Sequence, residues 1–181
     1  VAGSPPLAFT FGTGGLLSSP MWAGASVYYP DVRFNPETMV CKMRDNGITV
    51  CYTAPTFYRQ MAPYAQALGI PSLRVGVSAG EALPGATRQL WKQATGIEML
   101  DGIGGTEMWH IYISSAGAEV RAGTIGKVVP GYQAKVVDEN DQEVPRGTVG
   151  RLAVIGPTGC RYMDDERQTK YVSNGWNHPG D

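Results

Sequence analysis

The chain has 181 residues, 43% hydrophobic and 17% charged, with a formal net charge of −1, so it is long and apolar enough to bury a core as one domain or two sub-domains. The near-neutral balance and the lack of a Lys/Arg cluster exclude a nucleic-acid footprint. Apolar runs are short and broken by Gly or Pro, which excludes a transmembrane helix, and no charged leader with a cleavage site marks export.

In chain order, residues 28–30 (Tyr28-Tyr29-Pro30) read as a strand end with exposed rings. Residues 36–46 read as a helix stopped by Gly47. Residues 48–52 form a β-branched, apolar run expected to be a strand, and 73–77 form another. Between them, 55–68 predicts a helix that starts on proline, carries Phe57, Met61 and Tyr64 at helical spacing and stops at Gly69. Residues 84–95 predict a further helix, with Leu90, Trp91 and Ala94 on one stripe and Gly96 as its stop. A short strand follows at 97–100. Helices between short apolar strands imply an α/β fold: a layered, mainly parallel sheet with helices on both faces. Tyr52, Phe57, Leu90 and Trp91 are assigned to its core.

Past about residue 120 the grammar changes. Residues 124–129, 132–137 and 150–155 are strand-like, with a polar turn at 138–141. The expected organisation is an α/β sub-domain over 1–120, then a smaller antiparallel, barrel-like β unit over 121–181. Cys41, Cys51 and Cys160 are odd in number and lack CxxC or CxxH spacing. They read as reduced thiols of a cytoplasmic protein. Arg146, Arg151, Arg161, Arg167 and Lys170 are expected to be solvated or paired.

The chemistry concentrates between these elements. In Asp101-Gly102-Ile103-Gly104-Gly105-Thr106-Glu107-Met108-Trp109-His110, three glycines let the backbone approach a ligand closely. The Thr106 hydroxyl can then donate to a phosphate oxygen, and the Glu107 carboxylate can hold a hard cation such as Mg²⁺. Trp109 and His110 are placed to wall a pocket for a flat organic group. The plainer alternative is a helix start with Thr106 as N-cap and Glu107 in the first turn. Ser78-Ala79-Gly80-Glu81-Ala82-Leu83-Pro84 likewise follows a strand and leads into a helix. Ligands of open α/β sheets bind beyond the carboxyl ends of the strands, so two such turns at adjacent strand ends can sandwich a planar base.

Four ordered segments resemble the adenylate-forming superfamily of acyl-CoA ligases, peptide-synthetase adenylation domains and luciferases. Pro5-Pro6-Leu7-Ala8-Phe9-Thr10-Phe11-Gly12 is similar to its acid-pocket segment, and Ser78-Ala79-Gly80-Glu81 to its adenine-binding turn. Gly102-Ile103-Gly104-Gly105-Thr106-Glu107 resembles Gly-Tyr-Gly-x-Thr-Glu. Gly175-Trp176-Asn177-His178-Pro179-Gly180-Asp181 resembles Gly-Trp-x-x-Thr-Gly-Asp. The resemblance spans essentially the whole chain, as an internal piece of the large N-terminal domain. It implies an acid–thiol ligase that joins a carboxylate to AMP from ATP, with Mg²⁺, and then passes the acyl group to coenzyme A.

Carried over by position, the resemblance puts Thr106 on the α-phosphate and Glu107 on Mg²⁺ as the catalytic pair. Ala79, Gly80, Glu81, Gly102, Ile103 and Gly104 lie along the nucleotide, with Asp181 on the ribose hydroxyls. Phe9, Phe11, Gly104, Trp109 and His110 form the acid pocket. Glu107 to Ile111 and the stretch Gly156-Pro157-Thr158-Gly159-Cys160-Arg161-Tyr162 look most like ligases of benzoate and 2-aminobenzoate, so an aromatic acid is the expected substrate. Ile103 replaces the tyrosine that usually stacks on adenine, and His178-Pro179 departs from the usual residues before Gly-Asp. The family's phosphate loop and its C-terminal domain with a catalytic lysine lie outside these 181 residues, so this piece alone is expected not to complete adenylation. Two other readings stay open: a peptide-synthetase adenylation domain, and a degenerate nucleotide-binding module. No acid suited to hold a substrate ammonium stands near Phe9 or Trp109. The expected partners are the acid, ATP and coenzyme A, with no nucleic acid and no membrane, and a homodimer is left open.

Overall fold

The structure, a computed structural model, describes residues 1–30 and 34–180. Elements follow in chain order. Strand β1 (Ala2–Gly3) leads into a continuous helical stretch made of α1 (Thr10–Thr13), a π turn (Gly14–Ser18) and α2 (Ser19–Trp22). Then come α3 (Pro36–Asp45), β2 (Val50–Thr53), α4 (Pro55–Leu68), β3 (Val75–Ser78), α5 (Gly85–Thr95) and β4 (Met99–Gly104). Strands β5 (Ile111–Ser114), β6 (Lys127–Val128), β7 (Gln133–Val137) and β8 (Arg151–Ile155) precede α6 (Arg167–Tyr171), β9 (Val172–Ser173) and β10 (Trp176–Asn177). No helix is long and apolar enough to cross a membrane among the described residues.

The first sheet has the order β1-β2-β3-β4-β5-β6. Its first four strands are parallel, and β5 and β6 add antiparallel. Because the parallel strands are laid down in one direction, crossovers of one hand put their helices on one face. Accordingly α4 packs between α3 and α5. Residues of opposite parity on β2 take opposite faces. Cys51 sits in the core with Met61, Trp91 and Met99, whereas Tyr52 faces the helical stretch 10–22, its ring against Gly15.

The main core is built around two aromatics with their polar tips inside. Trp91 and Tyr58 are fully buried and meet edge-on with centroids 4.7 Å apart. The Tyr58 hydroxyl donates to the Cys51 carbonyl at 2.8 Å. The α4 and α5 helices match their predicted extents closely, but the α5 stripe differs. Leu90 is exposed, and the buried side chains are Thr87, Arg88 and Trp91. Arg88 tolerates burial because it donates to Glu98 Oε1 at 2.9 Å and to the Met99 carbonyl at 3.0 Å, as a buried guanidinium must.

The second sheet is separate, antiparallel and four-stranded, ordered β7-β8-β10-β9. The run 124–129 yields only Lys127–Val128, and that pair joins the first sheet against β5. Tyr28 and Tyr29 lie outside any strand. Tyr28 packs on the main core instead. Arg151 and Arg167 are paired, with Asp141 at 2.8 Å and Asp165 at 2.7 Å. All three cysteines are free thiols.

Candidate active site

The two strand ends expected to carry ligand lie side by side, since Ser78 pairs with Asp101 in register. Beyond Ser78 the chain turns at Gly80, whose φ of +85° is reached without strain only by glycine. The turn is tied down from one side: Glu81 Oε2 accepts the Thr56 hydroxyl at 2.6 Å and the Thr56 amide at 3.3 Å, at the positive start of α4.

The stretch 101–107 is not a free loop after a short strand. Strand β4 continues through Gly104, because β5 supplies antiparallel partners, with a bulge between Ile103 and Gly104. Residues Thr106–Met108 then form a single 3₁₀ turn, and the Thr106 side chain caps nothing. The ordinary helix start is therefore not realised, and the Thr106 hydroxyl is left exposed.

Two cavities open over these strand ends. The larger, about 650 Å³, is lined by Gly80, Glu81, Arg88, Asp101, Gly102, Ile103 and Gly104, with Thr124 and Ile125 on its far side. The smaller, about 210 Å³, is lined by Phe9, Phe11, Ala79, Gly80, Gly104, Thr106, His110 and Ile111 among others. They share two lining residues, Gly80 and Gly104.

Inside the larger cavity, burial raises the Asp101 carboxyl above its ordinary range, against the opposing pull of the Gly102 amide, Arg88 and Ser78. Sequence reasoning gave Asp101 no role of its own. The signal was present, in a carboxylate immediately before the glycines at a strand end.

Around the smaller cleft, three rings cluster. Phe11 lies 6.0 Å from Tyr52 and 5.8 Å from His110, and Tyr52 lies 6.3 Å from His110. Tyr52 is thus part of the cleft's supporting wall and not of the main core. Burial holds the His110 imidazole below its ordinary pKa, partly countered by a hydrogen bond to the Phe11 carbonyl. His110 Nε2 is buried with no hydrogen-bond partner among the described residues. Trp109 is not among the lining residues and is 45% exposed, since its backbone (φ 75°, ψ −50°) takes a turn that parts it from its neighbour.

Glu107 stands beside the cleft. Its Oε1 accepts the Tyr162 hydroxyl at 2.6 Å, and its Oε2 makes no hydrogen bond among the described residues. The second sheet reaches the same turn again through Thr158, whose hydroxyl donates to the Met108 carbonyl at 2.7 Å. Pro179 lies close to Gly105, 3.9 Å from where its Cβ would be, so the 176–180 loop borders the site. Asp181 lies outside the described residues.

Residues 1–161 match the family model for AMP-binding enzymes. The chain belongs to that family. It is 35% identical over 180 residues to a benzoate–CoA ligase of Thauera aromatica, a match covering 97% of the chain and 34% of the relative. It is 32% identical over 181 residues to an anthranilate–CoA ligase of Pseudomonas aeruginosa, covering 98% and 34%. Among solved structures of AMP-binding enzymes and their kin, the anthranilate CoA ligase AuaEII in complex with anthranoyl-AMP superposes with a TM-score of 0.92. That match has 36% identity, over 99% of this chain and 36% of the other. A benzoate CoA ligase from Burkholderia xenovorans LB400 gives 0.89 at 32% identity, over 99% and 37%. The chain therefore spans about one third of the length of the relatives it matches.

Proposed function

We propose that a protein carrying this chain activates an aromatic carboxylic acid with ATP, forming an acyl-adenylate and pyrophosphate, and then transfers the acyl group to coenzyme A. The observation that carries this reading is the pair of unequal cavities meeting at Gly80 and Gly104. A mixed anhydride of an acid and AMP has that bipartite shape, and its junction must pass a wall without side chains.

In this reading the adenosine occupies the larger cavity. The backbone of Ala79, Gly80 and Glu81 lies along one side of the base and Ile103 along the other, with Gly102 and Gly104 giving close approach. The Asp101 carboxylate accepts the exocyclic amine, and Asp181 takes the ribose hydroxyls. The acid ring fills the smaller cleft between Phe9, Phe11 and Gly104. His110, held neutral, offers Nε2 as an acceptor there. Among the described residues no carboxylate lines that cleft, which favours a plain aryl acid over an amino acid whose ammonium needs a counter-charge. Trp109, outside the lining, forms at most the rim.

Thr106 donates to the α-phosphate while the carboxylate oxygen attacks phosphorus and pyrophosphate leaves. The thiol of coenzyme A then attacks the acyl carbon and AMP leaves. No three His, Cys, Asp or Glu side chains converge among the described residues, so a cage made of protein alone is not offered. The free Glu107 oxygen fits the other common mode, one carboxylate plus substrate phosphates around Mg²⁺. When bound there, Mg²⁺ supplies charge neutralisation for the transferring phosphoryl group.

The test is pyrophosphate release by a full-length protein carrying this chain, with ATP, Mg²⁺ and benzoate, 2-aminobenzoate, hydroxybenzoates, acetate or amino acids. Release peaking on the benzoates, with a thioester on addition of coenzyme A, is the expected result. Release with amino acids and transfer to a carrier protein would replace it with the peptide-synthetase reading. Bound ATP with no release for any acid would leave a nucleotide-binding module.

A further inference from the structure

The stretch 156–162 is chemically distinctive yet has no part in the roles above. It lies between the two sheets, following β8, and two hydroxyls leave it for the 3₁₀ turn that carries Thr106 and Glu107: Thr158 to the Met108 carbonyl and Tyr162 to Glu107 Oε1. Tyr132 also meets Thr158, its hydroxyl 2.6 Å from the threonine's. The turn is therefore held at two successive residues, Glu107 and Met108, by the loop that follows β8.

Tyr162 is itself locked. Its amide donates to Gln168 Oε1 at 2.7 Å, the Arg167 guanidinium lies 4.6 Å from its ring centroid, and Tyr171 meets it edge-on at 5.9 Å. A phenol whose ring is held by two neighbours, on a backbone tied by a third, and which donates to a single carboxylate oxygen, does two things. It removes the freedom of the Glu107 side chain to swing, and it leaves the other oxygen available.

We infer that Tyr162 is the positioning residue for Glu107, aiming the free Oε2 at the cation that accompanies the nucleotide. The inference rests on the reading of Glu107 as the Mg²⁺ carboxylate. Partners that orient a ligating group typically change metal affinity by about 10–100-fold when removed.

The test measures Mn²⁺, as the probe metal, bound to a full-length protein carrying this chain together with a non-hydrolysable ATP analogue, by electron paramagnetic resonance. Tyr162→Phe keeps the ring and its contacts with Arg167 and Tyr171 but loses the hydroxyl. It is expected to weaken Mn²⁺ binding about 10–100-fold, to raise the Mg²⁺ concentration needed for half-maximal pyrophosphate release, and to leave the KM for the acid unchanged. Unchanged Mn²⁺ affinity in Tyr162→Phe, with Glu107→Gln impaired, overturns the positioning role alone. Unchanged affinity in Glu107→Gln overturns the assignment of Glu107 beneath it. Should Tyr162→Phe not fold, Gln168→Ala frees the Tyr162 backbone while retaining the phenol. A smaller loss of Mn²⁺ affinity in that variant supports the role, and none overturns it.

Discussion

The imidazole of His110 rests on the bare backbone of Gly14, where a Cβ would stand 2.1 Å from His110 Cδ2. A residue from the helical stretch before the core and one from just before β5 are thus mutually dependent, and the small cleft's wall as built requires that position 14 have no side chain. The π turn that begins at Gly14 belongs to the same contact, since its widened backbone seats the helix on Tyr52 and His110.

Gly14→Ala is accordingly expected to destabilise the chain by about 1–3 kcal/mol, the usual cost of overpacking, or roughly 2–10 °C in Tm. It should also raise the KM for the acid more than the KM for ATP. A melting curve and two saturation curves decide it. Equal changes in both KM values would mean that the ring simply moves aside.

The pH dependence of stability carries a His110 component of predictable sign. Burial depresses its folded-state pKa below the ordinary 6.5, so the unfolded chain takes up a proton that the folded chain refuses. This component is favourable above about pH 7 and is lost as pH falls through 6.5 towards the lower folded value. Urea midpoints at pH 8, 6.5 and 5.5 should show a shallower decline in His110→Gln than in the parent chain. Parallel declines would place the sensitivity in other groups.

The unpartnered Nε2 is expected to select among substrates. One neutral hydrogen bond is worth about 0.5–1.5 kcal/mol. His110→Ala in a full-length protein should therefore lower the preference for 2-aminobenzoate over benzoate by about 2–10-fold, read as a ratio of kcat/KM values. An unchanged ratio removes His110 from the specificity argument.

Two tryptophans, one in the main core and one on the surface beside the 3₁₀ turn, should behave oppositely. Trp91 is fully buried against Tyr58, so Trp91→Ala is expected to cost about 3–5 kcal/mol. Trp109 is 45% exposed, and Trp109→Ala should shift stability by no more than about 0.5 kcal/mol. Chemical denaturation of the two variants side by side is sufficient. A large loss in Trp109→Ala would show that it packs against something other than the described residues.

Local punctuation accounts for what was legible in the chain. Pro55 and Gly69 bracket α4, and Gly96 closes α5, because φ-fixed and side-chain-free residues announce helix ends whatever surrounds them. What was illegible depends on partners distant in sequence. Ile103 and Gly104 look like loop until β5 gives them hydrogen bonds. Gly12, Gly14, Gly15 and Pro20 suppress helix propensity, and the stretch 10–22 is helical because it packs closely on rings from β2 and from beside β5. Arg88 displaced Leu90 from the buried stripe through its bonds to Glu98 and Met99, which no periodicity reveals. At the site, residue type alone singles out the glycines, Thr106 and His110, whereas Phe9 and Phe11 enter only through the family resemblance; the structure brings Phe9, Phe11, Gly104, Thr106 and His110 to one cleft. Tyr52 belongs to the cleft side and not the core because strand alternation assigns faces only once the sheet's helices are known, and Tyr162 has no signal of its own in the chain because its partner is 55 residues away.

The partition between the cavities has an evolutionary corollary. Gly80 and Gly104 offer no side chain to exchange, so a mutation that alters what one chamber accepts must occur on its outer walls. Those walls are drawn from different segments: Phe9, Phe11, His110 and Ile111 on one side, and Arg88, Asp101, Thr124 and Ile125 on the other. On the proposed reading of the two cavities, acid preference is free to drift by single substitutions at Phe9, Phe11 or His110 without touching the other chamber's lining. On that reading, a combinatorial library confined to positions 9, 11 and 110 is the place to recruit new acids, since the Ile111 side chain also packs against Gly102 of the other chamber.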